Sequence, residues 1–223
     1  MVPSEVSQHD PLTFYDFRES IMPNMTNSTH PTSPTDAPEF APQHPISSGV
    51  AVLRAVLLAP RTFFLNFSEE GPLKGPVIFI MLVTAVTATL RLALTLIFGS
   101  NDLGSVGVSM LQALAFILLS PVLVGVFAGA YLLSVRTFVG KVGTFRGVYR
   151  MLAHAYGAMI LFWVPVLNAF AFAYATLVLM VIGICYVYRT SLLTALITGL
   201  VAYIPAALAF ILLQVWVTGI AFH

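Results

Sequence analysis

Arg91 is the side chain in this sequence with the most unusual position for chemistry, because it lies inside the apolar run PVIFIMLVTAVTATLRLALTLIFG, from about 76 to 99. A charge at the centre of a membrane helix costs about 2.5 to 3.5 kcal/mol on insertion scales, so it needs a polar partner or a route to water. Gln112, in the next apolar run, falls at a comparable depth, and Asn168 marks a later reversal on the same side. Arg91, Gln112 and Asn168 form a candidate intramembrane polar cluster suited to an anionic or neutral solute. Outward snorkelling of Arg91 toward Asp102 is the competing expectation.

Most other intramembrane chemistries lack their essential group. Asp102 is the last acidic residue, and only Arg136, Lys141, Arg146, Arg150 and Arg189 follow as fixed charges. Without carboxylates in the apolar runs there is no basis for a proton relay, a carboxylate cation site or an aspartyl intramembrane protease. His154, beside Tyr156, is expected to be a hydrogen-bonded interface residue, since no further ligands stand at metal-binding spacing. The single cysteine, Cys185, builds neither a disulfide nor a thiolate site. No HExxH helix and no GxSxG turn occurs. The expectation is a protein that is not an enzyme, with no cofactor, no metal and no nucleic-acid partner.

The elements that must position these residues follow from composition. With 58% hydrophobic and 9% charged residues, the solvent for most of the chain is the lipid bilayer. Residues 1 to 47 hold eight of the 14 prolines and no hydrophobic period, which predicts a disordered, proline-rich tail. Within it Phe14, Tyr15 and Phe17 form a candidate docking patch. Residues 48 to 75 contain GVAVLRAVLLA, about 16 Å long as a helix and too short to cross a hydrocarbon core of about 30 Å. An interfacial helix ending at Pro60 is predicted, with Phe63, Phe64 and Phe67 as anchors.

The remainder, 76 to 223, reads as a bundle of five transmembrane helices at about 76–99, 106–135, 151–166, 169–188 and 192–220. Pro121 falls within the second, whose flanks offer no polar turn, so one kinked or tilted helix is expected. Residues 136 to 150 read as a basic, glycine-containing loop. WVPVLNAF supplies a reversal, with Pro165 and Asn168 as breakers. Gly125 and Gly129 form a GxxxG pattern, a candidate helix-packing site within the bundle. Five spans place every lysine and arginine except Arg91 on one side, which makes the N-terminus cytoplasmic and His223 external.

The order of LRAVLLAPRTFF, KVGTFRGVYRMLAHAYGAM, WVPVLNAF and VIGICYVYRTSLLTALIT resembles the Yip-one domain family of polytopic membrane proteins in its prokaryotic form, over about 50 to 220. The resemblance implies a five-span bundle with a cytoplasmic N-terminus in the bacterial inner membrane. Eukaryotic members are associated with Rab-type small GTPases and membrane traffic. That role is not carried over, because the acidic and Tyr-Pro signatures of their tails are absent here and the family's Ala-Pro after the third-span tyrosine is replaced by Gly157 and Ala158. Three functions are open at this point: a membrane scaffold or accessory subunit with membrane-protein partners, a small transporter or channel using Arg91, and a membrane-organising protein of the Yip-one type.

Overall fold

The computed structural model describes residues 37–98 and 103–220. Phe14, Tyr15, Phe17, Asp102 and His223 lie outside the described residues. All regular elements among the described residues are helical: α1 Pro45–Leu58, α2 Pro60–Leu65, α3 Lys74–Phe98, α4 Leu103–Phe138, α5 Phe145–Ala155, α6 Asn168–Ala173, α7 Leu179–Val187 and α8 Leu192–Ile220. A 3-10 stretch, Tyr156–Leu161, continues α5, and a π-helical turn, Tyr174–Val178, joins α6 to α7. Four stretches are long and apolar enough to cross a membrane: Lys74–Phe98, Val106–Phe138, Asn168–Val187 and Leu192–Leu212. α1 is a shorter apolar helix.

Sequence explains where the helices begin. Prolines at the start of α1 and α2 occupy positions whose N–H has no helical partner in any case. Thr144 caps α5, its Oγ1 accepting from the Gly147 N–H at 3.0 Å. That cap draws residues 145 to 150, which composition assigned to a basic loop, into a helix. The connection is reduced to 139–144, and Arg150 turns inward. Residues 37–44, read from composition as the end of the tail, also pack on the bundle, with Phe40 buried 5.5 Å from the Phe79 ring.

α4 shows how an apolar helix selects its inner face. Ser120, Val124, Phe127, Ala128, Tyr131, Ser134 and Val135 are buried at three- and four-residue spacing, while Leu118, Val122, Val126 and Leu133 face outward. In lipid the apolar side chains provide no contrast, so close packing and polar contacts hold the helices together. Ser134 Oγ donates to the Thr198 carbonyl of α8 at 2.7 Å. The Tyr131 hydroxyl donates to the Thr176 carbonyl in the π turn, and Thr87 Oγ1 of α3 donates to the Met159 carbonyl in the 3-10 stretch at 3.1 Å. Carbonyls of the two irregular stretches thus accept hydrogen bonds from neighbouring helices, which is how non-α backbone is tolerated inside an apolar bundle. α4 is one continuous helix through Pro121. The proline withholds an N–H from the Ile117 carbonyl, and Ser120 Oγ supplies a donor to that carbonyl at 3.1 Å.

The closest helix contacts are made at glycines other than the GxxxG pair. A Cβ on Gly199 would lie 2.5 Å from Val181 Cγ2, and one on Gly183 would lie 2.6 Å from Met151 Sδ. At Gly125 the nearest neighbour would be Tyr149 Cε2 at 3.7 Å, and at Gly129 nothing lies within 4 Å.

Candidate functional site

Polar groups gather at two places. The first is the C-terminal half of α3. Arg91 is exposed and lines two cavities, one of about 190 Å³ shared with Gln112 and Ser109 and bounded by Thr84, Thr87 and Tyr156. The other, about 330 Å³, is shared with Trp163, Pro165 and Asn168. Arg91 therefore shares one cavity with Gln112 and another with Asn168, and the two cavities do not join the three residues in one site. Thr84 makes the floor of the first cavity polar: its Oγ1 donates to the Ile80 carbonyl at 2.9 Å and lies 3.1 Å from the Tyr156 hydroxyl.

The second site, at the other end of α3, escapes a reading of the sequence. Arg150 is 1% exposed, and its Nη2 donates to a Glu39 carboxylate oxygen in an ion pair. Nε and Nη1 of the same guanidinium are buried with no hydrogen-bond partner among the described residues. Gly71, at φ +129°, brings its backbone against this guanidinium, where any Cβ would collide with Nη1. One turn along α5, His154 donates from Nδ1 to the Arg150 carbonyl at 2.6 Å, which leaves Nε2 as the free end of the ring. The rings of Phe63, Phe67 and Phe79 surround it at 5.5, 5.7 and 6.1 Å.

Two cavities flank this cluster, both bordered by Glu39 and His154. One of about 490 Å³ is lined by Phe63, Asn66 and Phe67. The other, about 240 Å³, is lined by Arg150, Lys74, Gly75 and Pro76, so the first turn of α3 opens onto it. Beside them the loops converge. The Thr144 N–H donates to the Glu69 carboxylate, which burial holds above its ordinary value of 4.5. Gly143 packs against the Tyr188 hydroxyl, which is buried without a partner, and burial together with the nearby Glu69 charge raises the Tyr188 pKa. The signal that could have exposed this site is the threonine cap at 144, because once α5 is helical Arg150 and His154 share a face at i and i+4. Among the described residues no group of three or more His, Cys, Asp or Glu is placed to hold a metal.

An all-helical chain with four such apolar helices, interrupted by polar contacts between them, is a multi-pass membrane protein. The family model of the Yip1 domain matches residues 54–221, most of the chain, and the protein belongs to that family. Comparison with curated proteins and with solved structures gives no match.

Proposed function

We propose that the protein is a non-enzymatic membrane interaction protein, an accessory subunit that binds a membrane-protein partner through the end of the bundle carrying α1 and α2. One observation supports this most: α1 and α2 expose Ile46, Val50, Leu58 and Leu65 among the exposed bases Arg54 and Arg61. Apolar and basic groups interleaved on short helices make an adhesive surface at a membrane boundary. In this reading the segment from Phe145 to about Leu167 is a fifth crossing that runs beside α3, since Arg150 lines a cavity with Pro76 while Asn168 lines one with Phe98. The loops at 66–73, 139–144 and 188–191 then share one side, and with Arg54, Arg61, Lys141 and Arg189 around them that side is cytoplasmic. Extraction of the full chain in mild detergent, followed by sizing and mass spectrometry, tests the reading. A stoichiometric membrane-protein partner is expected, and a monodisperse free monomer overturns it.

A second reading, a small transporter, is favoured by one observation, the position of Arg91 on both outer cavities. Its test is solute flux into proteoliposomes, with Arg91→Ala expected to abolish any flux that the unaltered protein supports.

A further inference from the structure

The Arg150 cluster has more hydrogen-bonding capacity than its one partner uses. A guanidinium carries five N–H donors in a planar fork, and carboxylates and phosphates match that fork in a bidentate fashion. Here only Nη2 meets Glu39, while Nε and Nη1 are buried and unpartnered. Leaving buried donors unmet is costly, and more so on a charged group. The ion pair itself meets open space, since Arg150 and Glu39 both border the cavity of about 240 Å³ together with Lys74 and Gly75.

Two further features give this cavity a positive character. The first turn of the 25-residue helix α3 opens onto it, and no acidic residue in that turn offsets the positive end of the helix dipole. Lys74 is exposed and supplies a second cation at the mouth. The backbone approaches closely at Gly75, where a Cβ would lie 3.0 Å from the Phe40 carbonyl.

Among the described residues Glu39 is the sole acid on the cavity lining, and it is attached loosely. Its side chain is 56% exposed, although its neighbour Phe40 is buried. The backbone holds through Ala37 N–H to the Asn66 carbonyl at 3.1 Å, so the carboxylate can swing into water without unfastening the segment.

We propose that Arg150, Lys74 and the first turn of α3 form a binding site for a phosphate-bearing anion, and that the Glu39 carboxylate occupies it until the phosphate displaces it. A phosphate presents more acceptor oxygens than one carboxylate, so it can take the Nη2 donor that Glu39 holds and still offer oxygens to the Lys74 ammonium. The phosphate belongs to a phospholipid headgroup or to a soluble phosphate, which share this chemistry.

The experiment uses the full chain, in detergent and in nanodiscs, and compares it with Glu39→Gln and with Lys74→Ala. Glu39→Gln removes the competing charge while keeping the size of the side chain, and Lys74→Ala alters an exposed residue that the fold does not need. Inorganic phosphate, titrated against chloride at constant ionic strength, is expected to raise the Tm of Glu39→Gln more than that of the unaltered protein, with binding at least about tenfold tighter by calorimetry. Lys74→Ala in the Glu39→Gln background is expected to weaken it several-fold. In the second arm, native mass spectrometry follows retention of phosphatidylglycerol against phosphatidylcholine from nanodiscs. Response to inorganic phosphate supports the site with a soluble ligand, and Glu39-sensitive retention of phosphatidylglycerol alone supports it with a headgroup. If Glu39→Gln changes neither phosphate stabilisation nor lipid retention, the site is overturned and the Glu39–Arg150 pair is structural.

Discussion

Glu39 and Arg150, 111 positions apart in the chain, form an ion pair in which the guanidinium is 1% exposed and the carboxylate 56% exposed. The asymmetry sets what each substitution does. Removing the acid leaves a buried cation with no counter-charge, whereas removing the cation returns the acid to water. Glu39→Ala is expected to destabilise by about 1 to 3 kcal/mol, below the 3 to 5 typical of a fully buried pair because one partner is already solvated. Arg150→Met, which keeps much of the volume, is expected to cost less than Glu39→Ala. Thermal unfolding in one detergent, in phosphate-free buffer, checks the order. The reverse order would mean that packing around the guanidinium, and not its charge, controls this end of the bundle.

Three glycines with positive φ separate backbone strain from steric contact. Gly71, Gly143 and Gly140 have φ of +129°, +83° and +120°. A Cβ at Gly71 would strike the Arg150 guanidinium and one at Gly143 would lie 2.7 Å from the Tyr188 hydroxyl oxygen, while at Gly140 nothing lies within 4 Å. Alanine at Gly140 should therefore cost only the strain of a left-handed or extended positive-φ backbone, about 1 to 2 kcal/mol. Gly71→Ala and Gly143→Ala should cost more. Comparison of the three melting temperatures reads the difference directly.

Glu69 predicts a pH dependence of stability. Its carboxyl is held above 4.5 chiefly by burial, against the opposing Thr144 hydrogen bond. A carboxyl whose pKa is raised by folding is more protonated in the folded state, so its contribution is fully present below pH 4.5 and is lost as pH rises through the folded value. The Tm difference between the unaltered protein and Glu69→Gln should thus favour the former most near the acid end and shift toward the variant by neutral pH. A difference independent of pH would show that Glu69 does not titrate between the two states.

The parts of the molecule that were legible in the sequence are those carried by continuous local pattern. The apolar runs locate α3, α4 and α8, whereas Asn168, expected as a breaker before a helix from 169, is itself the first residue of α6. Hydropathy places a helix over about 151 to 166 in the third apolar block, but the chain is helical from Phe145 and continues as a 3-10 stretch and turns. A hydrophobic window centred on apolar residues cannot register a helix start fixed by one threonine hydroxyl. The Arg150 cluster was illegible for a different reason. Arg150 counts as a loop base when charges are summed by segment, and its acid lies in a proline-rich stretch whose composition argues against packing. Arg91, Gln112 and Asn168 can be grouped because depth in a helix converts position into height, which is a one-dimensional inference; that the latter two line separate cavities, each with Arg91, is three-dimensional.

Ser120 and Pro121 act as a unit, and a double-mutant cycle tests it. Pro121 lacks the N–H that would bond the Ile117 carbonyl, and Ser120 Oγ donates to that carbonyl at 3.1 Å. Ser120 is buried, so no water replaces it readily. Ser120→Ala should leave the carbonyl unpaired and cost about 1 to 3 kcal/mol. Pro121→Ala restores an N–H at the position where α-helical geometry needs it, so the serine hydroxyl becomes redundant. Ser120→Ala introduced after Pro121→Ala should then cost markedly less, giving a coupling of about 1 kcal/mol in unfolding measurements of the four proteins. If the two changes instead prove additive, Ser120 holds nothing that Pro121 has released, and the continuity of α4 through the proline must come from its neighbours, beginning with the Tyr149 hydroxyl that donates to the Pro121 carbonyl at 3.2 Å.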